Sequence, residues 1–237
     1  MTESSPEPEL PPDVMRRMER AVELSDSGLH ELLEPELRAL LADFERLLGP
    51  THDETIDLYD ALGHTLYQLE RLAESEAMHR EALSRSHRAH GPDHPATLAY
   101  AHNLGAALGV AKHTEESIEL LTDTTERLDR LHGPDHPDTL NTASTLGSIL
   151  YAAGRREEGL TVLEGTHVRC RAVLGDDDDL TMKVCSDLVA ALHTSGRRQE
   201  AGLMLVGLLR TYERLFGPND VMSLRTRQRL SVMGWGV

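Results

Sequence analysis

The sequence predicts an all-α protein built as an α-solenoid, in which five antiparallel helix pairs are followed by one C-terminal capping helix. Three observations predict this fold class. Glycines recur every 42 residues, each repeat carries two apolar stripes at helical spacing, and the composition favours helices. Of the 237 residues, 39% are hydrophobic but only 3% are aromatic. The core must therefore be built from Leu, Ala, Val and Met, which suit helices better than sheets.

A repeat of 42 residues runs through the chain. Its first marker is a glycine series at Gly49, Gly91, Gly133, Gly175 and Gly217. A second series on the same frame comprises Gly28, Gly154 and Gly196. The repeats predicted from both series span residues 7–48, 49–90, 91–132, 133–174 and 175–216.

Each repeat is predicted to contain two helices joined by defined stop and start signals. In residues 91–132, apolar residues follow steps of three and four, first from Leu98 to Leu108 and then from Ile118 to Leu131. The glycine suits the left-handed residue that ends the second helix, and Pro95 or Pro137 suits the first turn of the next one. The His and Asp residues of the GPDHP turn are expected to cap helices.

Both ends of the chain depart from the repeat. A last helix near residues 223–233 is predicted to cover the open end of the stack, as a terminal cap must. Residues 1–12 are rich in Pro, Glu and Ser and are expected to be disordered. Residues 13–237 would then form a single solenoid.

The repeat resembles a known family. The segments Gly91–Leu98, Gly133–Leu140, His102–Gly105 and Gly196–Ala201 are similar to the 42-residue tetratricopeptide repeat of kinesin light chains and of bacterial regulators. The resemblance implies a right-handed superhelix whose concave face, lined by the first helix of each pair, binds extended peptides or protein segments. Asparagines on those helices bond the peptide backbone in the family, and Asn103 holds such a position here.

The repeat phase predicts which polar residues face this groove. The predicted partner-binding residues are Asp57, Asp60, His64, Gln68, His102, Asn103, Asn141, Ser144, Ser148, Tyr151, Lys183, Asp187 and His193. Three of these positions are aspartates, so a preference for acidic peptides is not expected.

A sharper alternative concerns three of these side chains. Asp60 and His64 are four residues apart on one helix face, and His102 occupies the position of Asp60 in the next repeat. Such a cluster could bind Zn²⁺ or carry out acid–base chemistry. Without a fourth ligand it is more typical of solvated groove residues. No catalytic residue, resident metal or cofactor is therefore expected.

Charge and composition narrow the partners and the compartment. The formal net charge of −16 disfavours nucleic acid. The sequence contains no apolar run long enough to span a membrane, and its N-terminus lacks the pattern of a secretion signal. A cytoplasmic location and a neutral or basic partner are expected. Residues 1–48 are acidic and residues 217–237 mildly basic, which allows head-to-tail homo-oligomers.

Three functions remain open on the sequence. The leading one is a non-catalytic adaptor that binds a peptide or protein segment on the concave face. The second is a sensor of a small molecule or signalling peptide that acts in trans on a regulator. The third is an unusual enzyme with a groove site around Asp60, His64 and His102.

Overall fold

The computed structural model describes residues 10–235, and this part of the chain consists of helices and the turns that join them. It forms two compact units, divided in sequence between His113 and Thr114. The first unit contains α1 (Pro12–Asp26), α2 (His30–Leu47), α3 (Asp53–Gln68), α4 (Leu72–His90) and α5 (Pro95–Val110). The second contains α6 (Thr114–His132), α7 (Pro137–Ala152), α8 (Arg156–Val173), α9 (Asp179–Thr194), α10 (Arg198–Phe216) and α11 (Val221–Val232).

Within each unit, every helix packs against the next one in the chain. Alternate helices also touch, α3 with α5 in the first unit and α7 with α9 in the second. Short turns join the neighbours, so successive helices run antiparallel. The all-α class and the stacked helix pairs predicted from the 42-residue repeat are confirmed, and α11 follows the fifth pair. A single solenoid over residues 13–237 stays a prediction.

The glycine turns end one helix and start the next through local hydrogen bonds. The glycines at positions 49, 91, 133, 175 and 217 have φ between 88° and 95°, a region that side chains with a Cβ rarely adopt. Six residues later, Thr55, Thr139 and Ser223 donate to the glycine carbonyl at 2.8 to 2.9 Å. The predicted capping by the GPDHP turn is confirmed at His94 and His136, and Asp178 and Asp220 cap the equivalent helices in the same way by accepting first-turn N–H groups.

The turn inside each pair has a left-handed residue too, but only some repeats supply glycine there. Gly28, Gly154 and Gly196 adopt φ of 65°, 88° and 90°. At the equivalent positions Glu70 has φ 59° and Lys112 has φ 67°. Two side chains are thus held in a conformation that costs non-glycine residues free energy.

Leucines fill the interior of both units. In the first, Leu40, Phe44, Leu62 and Leu66 pack in one buried cluster. In the second, Leu163, Leu188, Leu192 and Leu205 are at the centre of the largest cluster. The core is therefore mainly aliphatic, as the low aromatic content predicted, and its packing against neighbouring helices stabilises each unit.

The chain ends bear on two predictions. Of the segment predicted to be disordered, residues 1–9 lie outside the described residues, and α1 begins at Pro12. The last helix spans Val221–Val232, where we predicted a cap near residues 223–233. After α11, the chain continues to Trp235, whose ring packs against Gly202 of α10.

Candidate binding faces on the first helices

Polar side chains link the first helices of successive pairs in the first unit. Tyr100 on α5 donates a hydrogen bond to Asp57 on α3, and Asn103 Nδ2 donates to Asp60 Oδ2 at 2.9 Å. The two residues of each bond are 43 positions apart in the sequence, one more than the length of a repeat. We call the surface of α3 and α5 in the first unit, and that of α7 and α9 in the second, the first-helix faces.

Asp60 has a second partner that sequence reasoning missed. His79 on α4 is 5% exposed, and its Nδ1 lies 2.8 Å from Asp60 Oδ1. The ring fits because Gly63 has no side chain; a Cβ there would lie 2.8 Å from the imidazole. The repeat did carry a signal: the positions equivalent to His79 are the buried Leu121, Leu163 and Leu205. A histidine at a position that is a buried leucine in the other repeats indicates that it has a buried polar partner.

The metal site considered for Asp60, His64 and His102 stays a prediction, and these residues are not among the groups of three convergent ligands in residues 10–235. Both carboxylate oxygens of Asp60 are bonded, to His79 and Asn103, and exposed His64 lies 3.4 Å from Gln68 through their side-chain nitrogens. Within residues 10–235, the three ligands that do converge are His132, His136 and Asp138.

Similar links join the helices of the second unit. Tyr151 on α7 and Thr194 on α9 are 2.7 Å apart through their hydroxyls, again across 43 residues. Lys183 Nζ donates to Asn141 Oδ1 at 3.3 Å, and Arg229 on α11 donates to Ser186 at 3.0 Å. Thr194, Ser186 and Arg229 were not among the predicted residues.

The remaining predicted residues of the second unit are largely enclosed. Ser144 is fully buried, and Ser148 and His193 are half-buried. Within the described chain, Ser144 Oγ, Ser148 Oγ and His193 Nδ1 have no hydrogen-bond partner. Asp187 lies 3.9 Å from Lys183, yet burial raises the pKa of its carboxyl, and the charges of Lys183 and Arg229 offset this only in part.

The two thiols are buried in the second unit and unpaired. Burial raises the pKa of Cys185 to about 11 and also raises the pKa of Cys170. Both sulfurs are therefore protonated at neutral pH, which is the unreactive form.

The first-helix faces thus hold their own helices together and leave some polar side chains outside the links. His64 and Gln68 in the first unit are exposed and take no part in the links, whereas Lys183 in the second is exposed although it donates to Asn141. Across residues 10–235, no helix is both long and apolar enough to cross a membrane.

Comparison with known proteins agrees with this architecture. Two tetratricopeptide repeat families match the chain, one over residues 58–129 and the other over residues 139–179. A search of curated protein sequences found no match.

Solved structures with the same fold include two kinesin-light-chain-like proteins. One is from Podosopora anserina and has nearly identical TPR-like repeats; it is 19% identical, with a TM-score of 0.70 over 88% of this chain and 99% of its own. BtubC (BKLC) of P. vanneervenii is 16% identical, with a TM-score of 0.70 over 87% of this chain and 82% of its own.

A third structure is a Rap protein complexed with Competence and Sporulation Factor. It is 11% identical, with a TM-score of 0.68 over 91% of this chain and 63% of its own. The TM-scores show a shared fold, and the two matched segments show its sequence basis. Residues 58–129 and 139–179 thus resemble tetratricopeptide repeats, and the fold is similar to that of kinesin-light-chain-like proteins.

Proposed function

We propose that this protein is a non-catalytic scaffold that binds a peptide or protein segment on its first-helix faces. The observation that carries the proposal is the set of side-chain links between successive first helices, such as Asp60 with Asn103 and Tyr151 with Thr194. These links fix the spacing of the helices, while His64 and Gln68 stand outside them and are exposed to a partner; Lys183 is also exposed, although it donates to Asn141. A rigid surface loses little conformational entropy when it binds an extended segment.

The fold comparison supports a peptide or protein as the partner class. The Rap protein with this fold was solved in complex with Competence and Sporulation Factor. Transfer of that property to this chain is part of the proposal, because the shared identity is 11% and fold alone does not fix function.

Charge supports a neutral or basic partner. The chain carries 40 acidic and 24 basic residues, and exposed Asp57 lies on the first-helix face of the first unit. A protein partner in the cytoplasm, which can include a second copy of this chain, fits this balance better than nucleic acid, whose phosphates the protein would repel.

One cavity favours a second candidate, a sensor of a small molecule or signalling peptide that acts in trans. In the second unit, Val189, Ala190, Val232 and Met233 line a space of about 410 Å³ between α9 and α11, together with His193. This volume is within the range of small-molecule sites. A sensor would gain stability from its ligand.

Site-specific photocrosslinking tests the proposed binding face. A benzophenone side chain is placed at His64 or Lys183, and at His87 on α4 or Val168 on α8 as exposed controls from the second helices of the same units. Incubation with native lysate should yield a discrete crosslinked protein from the first-helix positions only. Equal crosslinking from His87 and Val168 would contradict the proposal. Stabilisation by a metabolite fraction without any crosslink would favour the sensor.

A further inference from the structure

The turn between α6 and α7 brings two histidines face to face. His132 ends α6 and His136 caps α7, and their ring centroids are 4.3 Å apart with an interplanar angle of 24°. Asp138 is in the first turn of α7, and its carboxylate lies 3.6 Å from His136 Nδ1. The Gly-Pro-Asp sequence of the turn thus folds three potential ligands onto one side of a helix junction.

We propose that His132, His136 and Asp138 bind a divalent transition-metal ion such as Zn²⁺. One ligand atom from each residue lies within 4.8 Å of the others, so side-chain rotations that open the ring stack can bring all three to a common ion. Two imidazoles and a carboxylate suit Zn²⁺, Ni²⁺ or Cu²⁺, whereas Mg²⁺ and Ca²⁺ prefer oxygen ligands. His132 and Asp138 are exposed, so an ion enters from solvent, and water completes its coordination.

Metal binding competes with one existing contact. The backbone N–H of Asp138 donates to His136 Nδ1 at 3.3 Å, which caps α7. A neutral imidazole has one nitrogen with a free lone pair. Coordination therefore replaces this long capping bond within α7, and the ion would instead join the end of α6 to the start of α7.

The preceding repeat supplies a natural control. His90 and His94 stack in the same way, with centroids 4.5 Å apart, at the turn between α4 and α5. There Ala96 occupies the position of Asp138, and His90 Nε2 is bonded to Asp53 Oδ1 at 2.6 Å. Two stacked histidines and a nearby carboxylate are therefore present at both turns, but among residues 10–235 only His132, His136 and Asp138 bring three ligand atoms within 4.8 Å of one another.

Calorimetric titration of the full chain with Zn²⁺ alone tests the site. The protein is made without a histidine tag, stripped of metal with a chelator and titrated at pH 7.5. The single-site variants are essential, because the chain has 13 histidines that could each bind the metal. We expect one equivalent to bind, and H132A, H136A and D138A each to lose at least tenfold in affinity, since one ligand of three is removed. H90A should bind like the wild type.

Two results would overturn the proposal: no saturable binding by the wild type, or equal loss of affinity in H90A and H132A. Circular dichroism verifies that each variant folds. All four substitutions lie at helix junctions, so H90A is a fair control for the other three. Absorption of the Co²⁺-substituted protein gives a second measurement. Nitrogen coordination should produce a visible spectrum that H136A lacks, and an unchanged spectrum in H136A would also refute the site. These outcomes are independent of the proposed binding of a peptide or protein.

Discussion

Asn103 on α5 donates a hydrogen bond to Asp60 on α3 at 2.9 Å, across 43 residues of sequence. The bond joins two first helices that belong to different repeats. Its acceptor is a half-buried carboxylate that His79 also contacts. The bond therefore contributes to the packing of the first unit as well as to its surface.

Loss of this bond should destabilise the first unit. We expect Asn103→Leu to lower the free energy of unfolding by about 1.5–3 kcal/mol, because a carboxylate keeps its charge but loses a donor. Tyr100→Phe is the matched control. Its partner Asp57 is exposed and can bond to water, so the cost should stay below about 1 kcal/mol. Urea denaturation followed by circular dichroism measures both, and a greater loss in Tyr100→Phe would contradict this account.

The buried pair of Asp60 and His79 should show strong coupling. His79→Leu restores the leucine of the other repeats but leaves the carboxylate with one partner, so we expect a loss of about 1–3 kcal/mol. Adding Asp60→Ser, the residue found at the equivalent positions 144 and 186, should recover most of that loss. A double-mutant cycle measures the coupling energy. Additive effects of the two substitutions would show that the pair does not interact.

Glycine should stabilise the turns in which a side chain adopts a left-handed conformation. Lys112 has φ 67°, whereas the equivalent Gly154 has φ 88°. We expect Lys112→Gly to raise the free energy of unfolding by about 0.5–1 kcal/mol, the strain released less the entropy that glycine adds to the unfolded chain. The reverse change, Gly154→Ala, should destabilise by about 1–2 kcal/mol. Thermal unfolding distinguishes the two, and a loss of stability in Lys112→Gly would show that the turn is unstrained.

Asp187 should weaken the fold at neutral pH. Because burial raises its pKa in the folded state, its ionised form is less stable folded than unfolded. Asp187→Asn should therefore increase stability at pH 7. The gain should shrink as the pH falls through the folded pKa and vanish below about 3.9, the unfolded value.

Asp43 provides the control of opposite sign. Hydrogen bonds from Arg46 and Arg17 lower the pKa of its carboxyl. Its contribution to stability is therefore present above the unfolded pKa and is lost as the pH falls through the folded value. Asp43→Asn should destabilise at pH 7 and destabilise less at pH 3, which is below the unfolded pKa. Denaturant midpoints at both pH values test the pair, and a loss of stability in Asp187→Asn at pH 7 would reverse our assignment.

The tryptophan should report on the contact between the chain end and α10. A Cβ on Gly202 would lie 2.1 to 2.4 Å from atoms of the Trp235 ring, so Gly202→Ala must displace it. The chain contains one tryptophan. We expect its fluorescence to shift to the red in this variant. In Gly207→Ala the new Cβ meets no atom within 4 Å; emission should not change, and stability should rise by about 0.5–1 kcal/mol. Identical spectra for both variants would exclude the contact.

The sequence determined the elements of this protein because their signals are local. A glycine at φ 88° ends α4, and Pro95 with the capping side chain of His94 begins α5. Each of these contacts spans only a few residues, so the 42-residue repeat was enough to predict the helix pairs and their order.

Only the tertiary structure decided which polar side chains meet. The repeat predicted that Asp60 lies near the next first helix, but neither of its bonds, to Asn103 and to His79 on α4, could be predicted from the repeat. The same holds for His132, His136 and Asp138, whose ligand atoms converge only after the turn has folded. Repeat spacing fixes the position of a residue to within about one residue, whereas hydrogen bonds and metal coordination depend on distances of a few tenths of an ångström. Helix rotation and rotamer choice, which packing against neighbouring helices sets, supply that difference.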